Sequence, residues 1–233
     1  MEVVPGVHWV DAIWDVKVYV LIDGDRVVLV DAAMPGRADV VWRYLASLGY
    51  GPQAVGEIWL THGDIDHMGS VAALKAASGA RVVAHCQDVP LVEGTAERPL
   101  GPLPRARFMA PLSAFFVHRI LRYEATVVDR PVQDGDQLDG WQVVHVPGHT
   151  AGSICFYHAR RKIAIVGDAL NHRRGRLGAP PPLFTPDMAA AYRSIQRIAA
   201  LDFEVCCFGH GAPLTEHARE RVEAFARTLP GSD

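Results

Sequence analysis

Thr61-His62-Gly63-Asp64-Ile65-Asp66-His67-Met68-Gly69 is the stretch on which the reading of this chain turns. It places two imidazoles and two carboxylates between positions 62 and 67, directly after the apolar run Glu57 to Thr61, which has the composition of a strand. A polar turn that only capped the next helix would need one such residue. Zinc, iron and manganese all take imidazole nitrogen and carboxylate oxygen, and a short loop offers several of these at little cost in ordering. His62, Asp64, Asp66 and His67 are therefore candidate metal ligands.

Upstream, Val18 to Ile22 and Val27 to Val30 are β-branched runs joined by Asp23-Gly24-Asp25-Arg26, the pattern of a hairpin. Ala38, Val41, Leu45 and Leu48 recur at helical spacing before Gly49. Downstream, Ser70 to Ala77 reads as a short helix and Arg81 to His85 as a strand. Trp141 to Val146, Ile154 to His158 and Lys162 to Val166 repeat the strand pattern, with a helix at Met188 to Ala200, a strand at Glu204 to Phe208 and a closing helix at Glu216 to Leu229. Each half alternates strands with helices and carries its own hairpin. Two sheets packed face to face with helices outside satisfy that order, an α/β four-layer α/β/β/α sandwich formed by one domain over residues 1–233. Residues 90–124 break the rhythm. Their prolines and the apolar Leu112 to Leu121 suggest an inserted lid beside a site, or an interface that could support a homodimer.

Three more motifs follow predicted strands and could meet at one sheet edge: Pro147-Gly148-His149-Thr150, Gly167-Asp168-Ala169 and Gly209-His210-Gly211. Asp31 closes the second strand of the first hairpin. With these motifs in this order, nearly the whole chain resembles the metallo-β-lactamase superfamily, whose signature is His-x-His-x-Asp-His after a strand. The resemblance implies the metallo-β-lactamase-like sandwich. It also implies a dinuclear centre with His62 and His149 at the first metal, Asp66, His67 and His210 at the second, and Asp168 bridging. Asp31 and Thr150 are then supports of the ligand loops.

The departure is Asp64, where the family usually has its second histidine. Strand-like alternation would point residues 62, 64 and 66 the same way, so Asp64 can take that place. A carboxylate there makes the first site more anionic and brings iron or manganese into consideration, as in the flavodiiron proteins, which share a carboxylate in this slot but carry a flavodoxin domain. Two divalent ions remain the expected cofactor, with zinc first because availability more than affinity decides occupancy.

Two metals sharing a hydroxide would provide a nucleophile at neutral pH, and Asp66 could orient it or pass its proton to a leaving group. The expected substrate is a small molecule. Phe108, Phe115 and Phe116 suit the acyl part of an ester, thioester or lactone, whereas His172 and Arg173, in the basic run Asn171 to Arg176, suit a phosphoester. A diiron or persulfide-handling redox protein is the alternative from another class, motivated by Asp64. Composition narrows the partners. With 49% hydrophobic and 21% charged residues and a net charge of −3, nothing points to a nucleic acid, and no apolar run suits a membrane. Cys86, Cys155, Cys206 and Cys207 show no disulfide or Cys-x-x-Cys spacing and read as small buried hydrophobes. With no secretory segment visible at Met1 to Gly6, they suggest a cytoplasmic protein.

Overall fold

In the computed structural model, which describes residues 1–13, 16–101 and 123–231, the β-branched runs become two sheets. The first holds β1 (Glu2–Val4), β2 (Val7–Trp9), β3 (Tyr19–Asp23), β4 (Arg26–Val30), β5 (Val55–Trp59), β6 (Arg81–His85) and β7 (Arg130–Val132), in that spatial order. Neighbours are antiparallel from β1 to β4 and parallel from β4 to β7. The second begins with β8 (Gln137–Leu138), β9 (Trp141–His145), β10 (Ile154–His158) and β11 (Ile163–Ile165), all antiparallel. A two-stranded ribbon of β12 (Asn171–Arg173) and β13 (Arg176–Gly178) follows, and β14 (Val205–Cys207) returns to lie parallel to β11.

Parallel strands need crossovers, and helices supply most of them. α1 (Ala38–Ser47) links β4 to β5. The single turn α2 (Ile65–Met68) and α3 (Val71–Ser78) link β5 to β6, after which comes the short α4 (Val89–Val92). α5 (Met188–Ala199) and α6 (Ala218–Ala226) flank β14 in sequence.

Burial follows the two-residue period of a strand covered on both faces. In β4, Val27 and Leu29 point to the helices, where they join Val41 and Leu45 of α1 and Leu74 of α3. Val28 and Val30 point the other way, into the layer between the sheets with Trp59, Phe156 and Ile165. Trp59 fills that layer, edge-on to Trp141 at 6.5 Å and 5.2 Å from Phe156. Ile195 and Ile198 of α5 and Val222 of α6 cover the far face over Val144, Ala164 and Cys206. Three apolar layers separated by two sheets make the α/β/β/α sandwich expected.

Some expectations change. β1, β2, β7 and β8 are two or three residues long, too short to show periodicity. Cys155, Cys206 and Cys207 are buried, but Cys86 is exposed, so it is no core residue. Of the segment 90–124, positions 102 to 122 lie outside the described residues, and Phe108, Phe115, Phe116 and the stretch Leu112 to Leu121 with them. Among the described residues no helix is long and apolar enough to cross a membrane.

Candidate metal centre

Every residue of the predicted cluster lies just past the carboxyl end of a strand. Asp31 follows β4, His62 to His67 follow β5, His149 follows β9, Asp168 follows β11 and His210 follows β14. The two sheets thus converge on one edge.

Asp31 turns the chain sharply there, with a left-handed φ of 65°, a conformation that Asp tolerates better than most residues. Its carboxylate accepts from the Thr61 backbone N–H at 2.8 Å and from Nδ1 of His67 at 2.8 Å. The Thr61 hydroxyl also donates to Asp31, at 2.9 Å, and is left to accept from Nδ1 of His62 at 2.9 Å. Both imidazoles are consequently held by Nδ1 with Nε2 presented to the cluster, the arrangement by which neighbouring oxygens fix a metal-binding tautomer.

The extended backbone runs only as far as Asp64, at φ −89° and ψ 147°. The expected alternation through residue 66 is therefore corrected. The α2 turn brings Asp66 and His67 around instead, and its fixed pitch separates them from His62 and Asp64.

Potential ligand atoms within 4.8 Å of one another form three groups: His62 with His67 and Asp168, and, to either side of it, His62 with Asp64 and His149 and Asp66 with His67 and His210. Asp168 stands between them. Its Oδ1 is 3.4 Å from Nε2 of His67, and its Oδ2 is 3.2 Å from Nε2 of His210 and 3.8 Å from Nε2 of His149. Asp66 Oδ2 lies 3.3 Å from Nε2 of His210. Nε2 of His62, His67 and His149 and Oδ1 of Asp168 are buried without a hydrogen-bond partner, although His149 Nε2 is 2.9 Å from Asp64 Oδ2. Buried polar atoms crowded at one point without a well-formed hydrogen bond are costly unless something else binds them. The donor set fits divalent metal ions.

The electrostatics fit as well. Burial drives His62 well below its usual pKa, assisted by His67, so it is a neutral donor. Burial alone would depress His67, but Asp31, Asp66 and Asp168 outweigh it and hold it well above the usual value. His210 goes up to about 9 against its own burial, through its bonds to Asp168 and Asp66. Asp168, despite burial, is held well below the carboxylate range by His67 and His210. Without an ion, protons supply the positive charge that these carboxylates require.

The surrounding chain keeps the cluster in place. Buried Asp88, which sequence reasoning passed over, accepts from the N–H of Gly63 at 2.8 Å, the N–H of Gly152 at 2.8 Å and the Thr150 hydroxyl at 2.7 Å. Thr150 therefore acts through Asp88, tying the His62 loop to the His149 loop. His149 Nδ1 is 3.4 Å from the Thr185 hydroxyl. Thr61 and Thr185 were also overlooked. Thr61 had a signal, since it is the polar residue ending an apolar strand beside His62, whereas Asp88 and Thr185 belong to no motif.

The cluster forms the floor of a cavity of about 380 Å³. Its walls include Met34, Ile65, Met68, Leu91, Tyr123 and Phe184, together with Arg98 and Arg173. Arg98, which no sequence pattern marked, pairs with Asp64 through two nitrogens and donates to the carbonyls of His149 at 2.8 Å and Phe184 at 2.7 Å. His172, expected at the substrate, is not among the described residues that line this cavity. It is buried, its Nδ1 lies 2.8 Å from the Ala212 carbonyl, and its Nε2 is 3.3 Å from Arg221.

Comparison with known proteins places the chain in a family. The profile described as the metallo-beta-lactamase superfamily matches residues 13–210. The probable metallo-hydrolase YflN of Bacillus subtilis (strain 168) is 31% identical over 208 residues, covering 81% of this chain and 76% of that protein. A hydroxyacylglutathione hydrolase of Ectopseudomonas mendocina (strain ymp) is 29% identical over 169 residues, covering 72% of this chain, which spans 50% of that relative's length. Among solved structures, TTHA1623 in a di-iron-bound form aligns with a TM-score of 0.64 and 28% identity, over 92% of this chain and 94% of that one.

Proposed function

Because the chain belongs to the metallo-β-lactamase superfamily of hydrolases, we propose that it hydrolyses an ester, thioester or lactone, using two divalent ions held by His62, Asp64, Asp66, His67, His149, Asp168 and His210. The observation that carries this reading is the meeting of the two ligand groups at Asp168, on the floor of a cavity with largely apolar walls. Metal ions bound there would supply water acidified toward neutral pH and polarisation of the substrate carbonyl.

The chain's own residues account for the rest. Asp66 is the most open carboxylate of the cluster, with 32% of its side chain exposed. His67 and His210 outweigh burial and keep it ionised, so it can accept a proton from water and return it to a leaving group. Met34, Leu91 and Phe184 offer an apolar surface for an acyl portion. Tyr123 presents its ring there, because its hydroxyl donates to the Leu91 carbonyl at 2.7 Å. The hydroxyacylglutathione hydrolase relative, whose name denotes a thioester, supports the same class of bond. Zinc is the metal we assign on availability, and the di-iron form of TTHA1623 supports iron as its competitor.

Arg173, exposed on β12 and lining the same cavity, favours phosphoester cleavage as the second reading. Assay of the zinc-, iron- and manganese-loaded protein against aryl esters, thioesters, lactones, β-lactams and phosphodiesters separates the two. We expect acyl substrates to turn over without oxygen, and Asp66→Asn to lower the rate by about 10²–10⁴-fold. Turnover confined to phosphodiesters would establish the second reading in its place, and oxygen-dependent chemistry would establish a redox protein.

A further inference from the structure

Asp64 does not stand alone. The Arg98 guanidinium meets both of its carboxylate oxygens, Nη2 to Oδ2 at 3.0 Å and Nε to Oδ1. The pair is largely enclosed, with side-chain exposures of 15% for Asp64 and 19% for Arg98. The same Nη2 reaches the carbonyls of His149 and Phe184, so one guanidinium joins the segment after α4 to two potential ligands of the first site. Asp64 Oδ2 faces the imidazoles, 3.7 Å from Nε2 of His62 and 2.9 Å from Nε2 of His149. An enclosed carboxylate with a forked guanidinium carries no net charge to its surroundings.

We infer that Arg98 is a positioning and charge-setting residue for the first site, making Asp64 and itself one neutral donor unit beside His62 and His149. The inference rests on the metal-centre reading above. It replaces the expectation of a more anionic first site, which holds for Asp64 only when its partner is ignored. It also assigns Arg98 a selective role. With the compensating cation in place the first site carries the net charge of an all-imidazole set and holds zinc, whereas without it the uncompensated, fully available carboxylate shifts the site toward manganese or iron.

A double-mutant cycle tests this on metal-free protein titrated with zinc against a chromophoric chelator, with circular dichroism as a check on folding. Wild type is expected to bind two zinc ions. Asp64→His supplies a neutral ligand but strands the guanidinium beside the ion, and should weaken the first zinc site at least tenfold. Adding Arg98→Gln to Asp64→His should recover most of that loss. Arg98→Gln alone should shift competitive loading from zinc toward manganese, and Arg98→Lys, which keeps the charge, should restore zinc preference. A residue that merely braced the loop would lower zinc affinity by the same factor in both backgrounds, and that result would overturn the inference. Wild-type protein that binds no zinc, iron or manganese would contradict the metal centre itself, a different failure from wild type that binds two ions while the cycle is additive.

Discussion

Asp31, Thr61 and His67 form a chain of hydrogen bonds in which each group fixes the next, and no member of it can be replaced without disturbing a ring nitrogen in the cluster. Asp31→Asn should preserve the left-handed turn, which Asn accepts, while weakening the hold on His67. We expect the fold to be retained and metal affinity to fall about 10–100-fold, measured as metal per chain after dialysis. Protonation supplies a second test at this scale. His210 rises from 6.5 to about 9 on folding, so in metal-free protein its contribution to stability is complete below pH 6.5 and is lost as pH rises through about 9. Denaturation midpoints of the chelator-treated protein should therefore fall between pH 7 and 10. A flat profile there would show that His210 is not held by Asp66 and Asp168.

The strand ends and the loops beyond them set where these residues meet. Gly209 shows how little room remains: a Cβ on it would lie 2.2 Å from Asp168 Oδ1 and 2.7 Å from Cε1 of His67. Gly209→Ala should empty the centre without altering any ligand, read as metal per chain in a protein whose circular dichroism is unchanged. Asp88 works between elements. Asp88→Ala strands the N–H groups of Gly63 and Gly152, at about 1–3 kcal/mol for each buried donor left unpaired, and chemical denaturation should show the loss.

The elements themselves were partly legible in sequence. The hairpin β3–β4, helices α1, α3 and α5 and the ligand motifs announced themselves because apolar period, turn residues and chelating side chains all fall within short windows. The α2 turn did not, since four residues, Ile65 to Met68, are too few to carry a period. Arg98 and Asp88 did not either, because each matters through a partner 34 or 25 positions away that only the folded chain brings near.

At the scale of the whole molecule, two sheets are pressed together over one apolar layer, and the centre sits where their strand ends converge. Trp59 is fully buried in that layer, and Trp59→Ala should cost about 3–5 kcal/mol in chemical denaturation. Its loss loosens the packing between the half that carries His62 to His67 and the half that carries His149, Asp168 and His210, so metal affinity should fall with stability. The central claim is that these two halves jointly hold a pair of metal ions. Elemental analysis of wild-type protein, stripped, reloaded with zinc and freed of excess metal, tests it most directly. Close to two ions per chain are expected, and fewer than one per chain would rule out the shared centre.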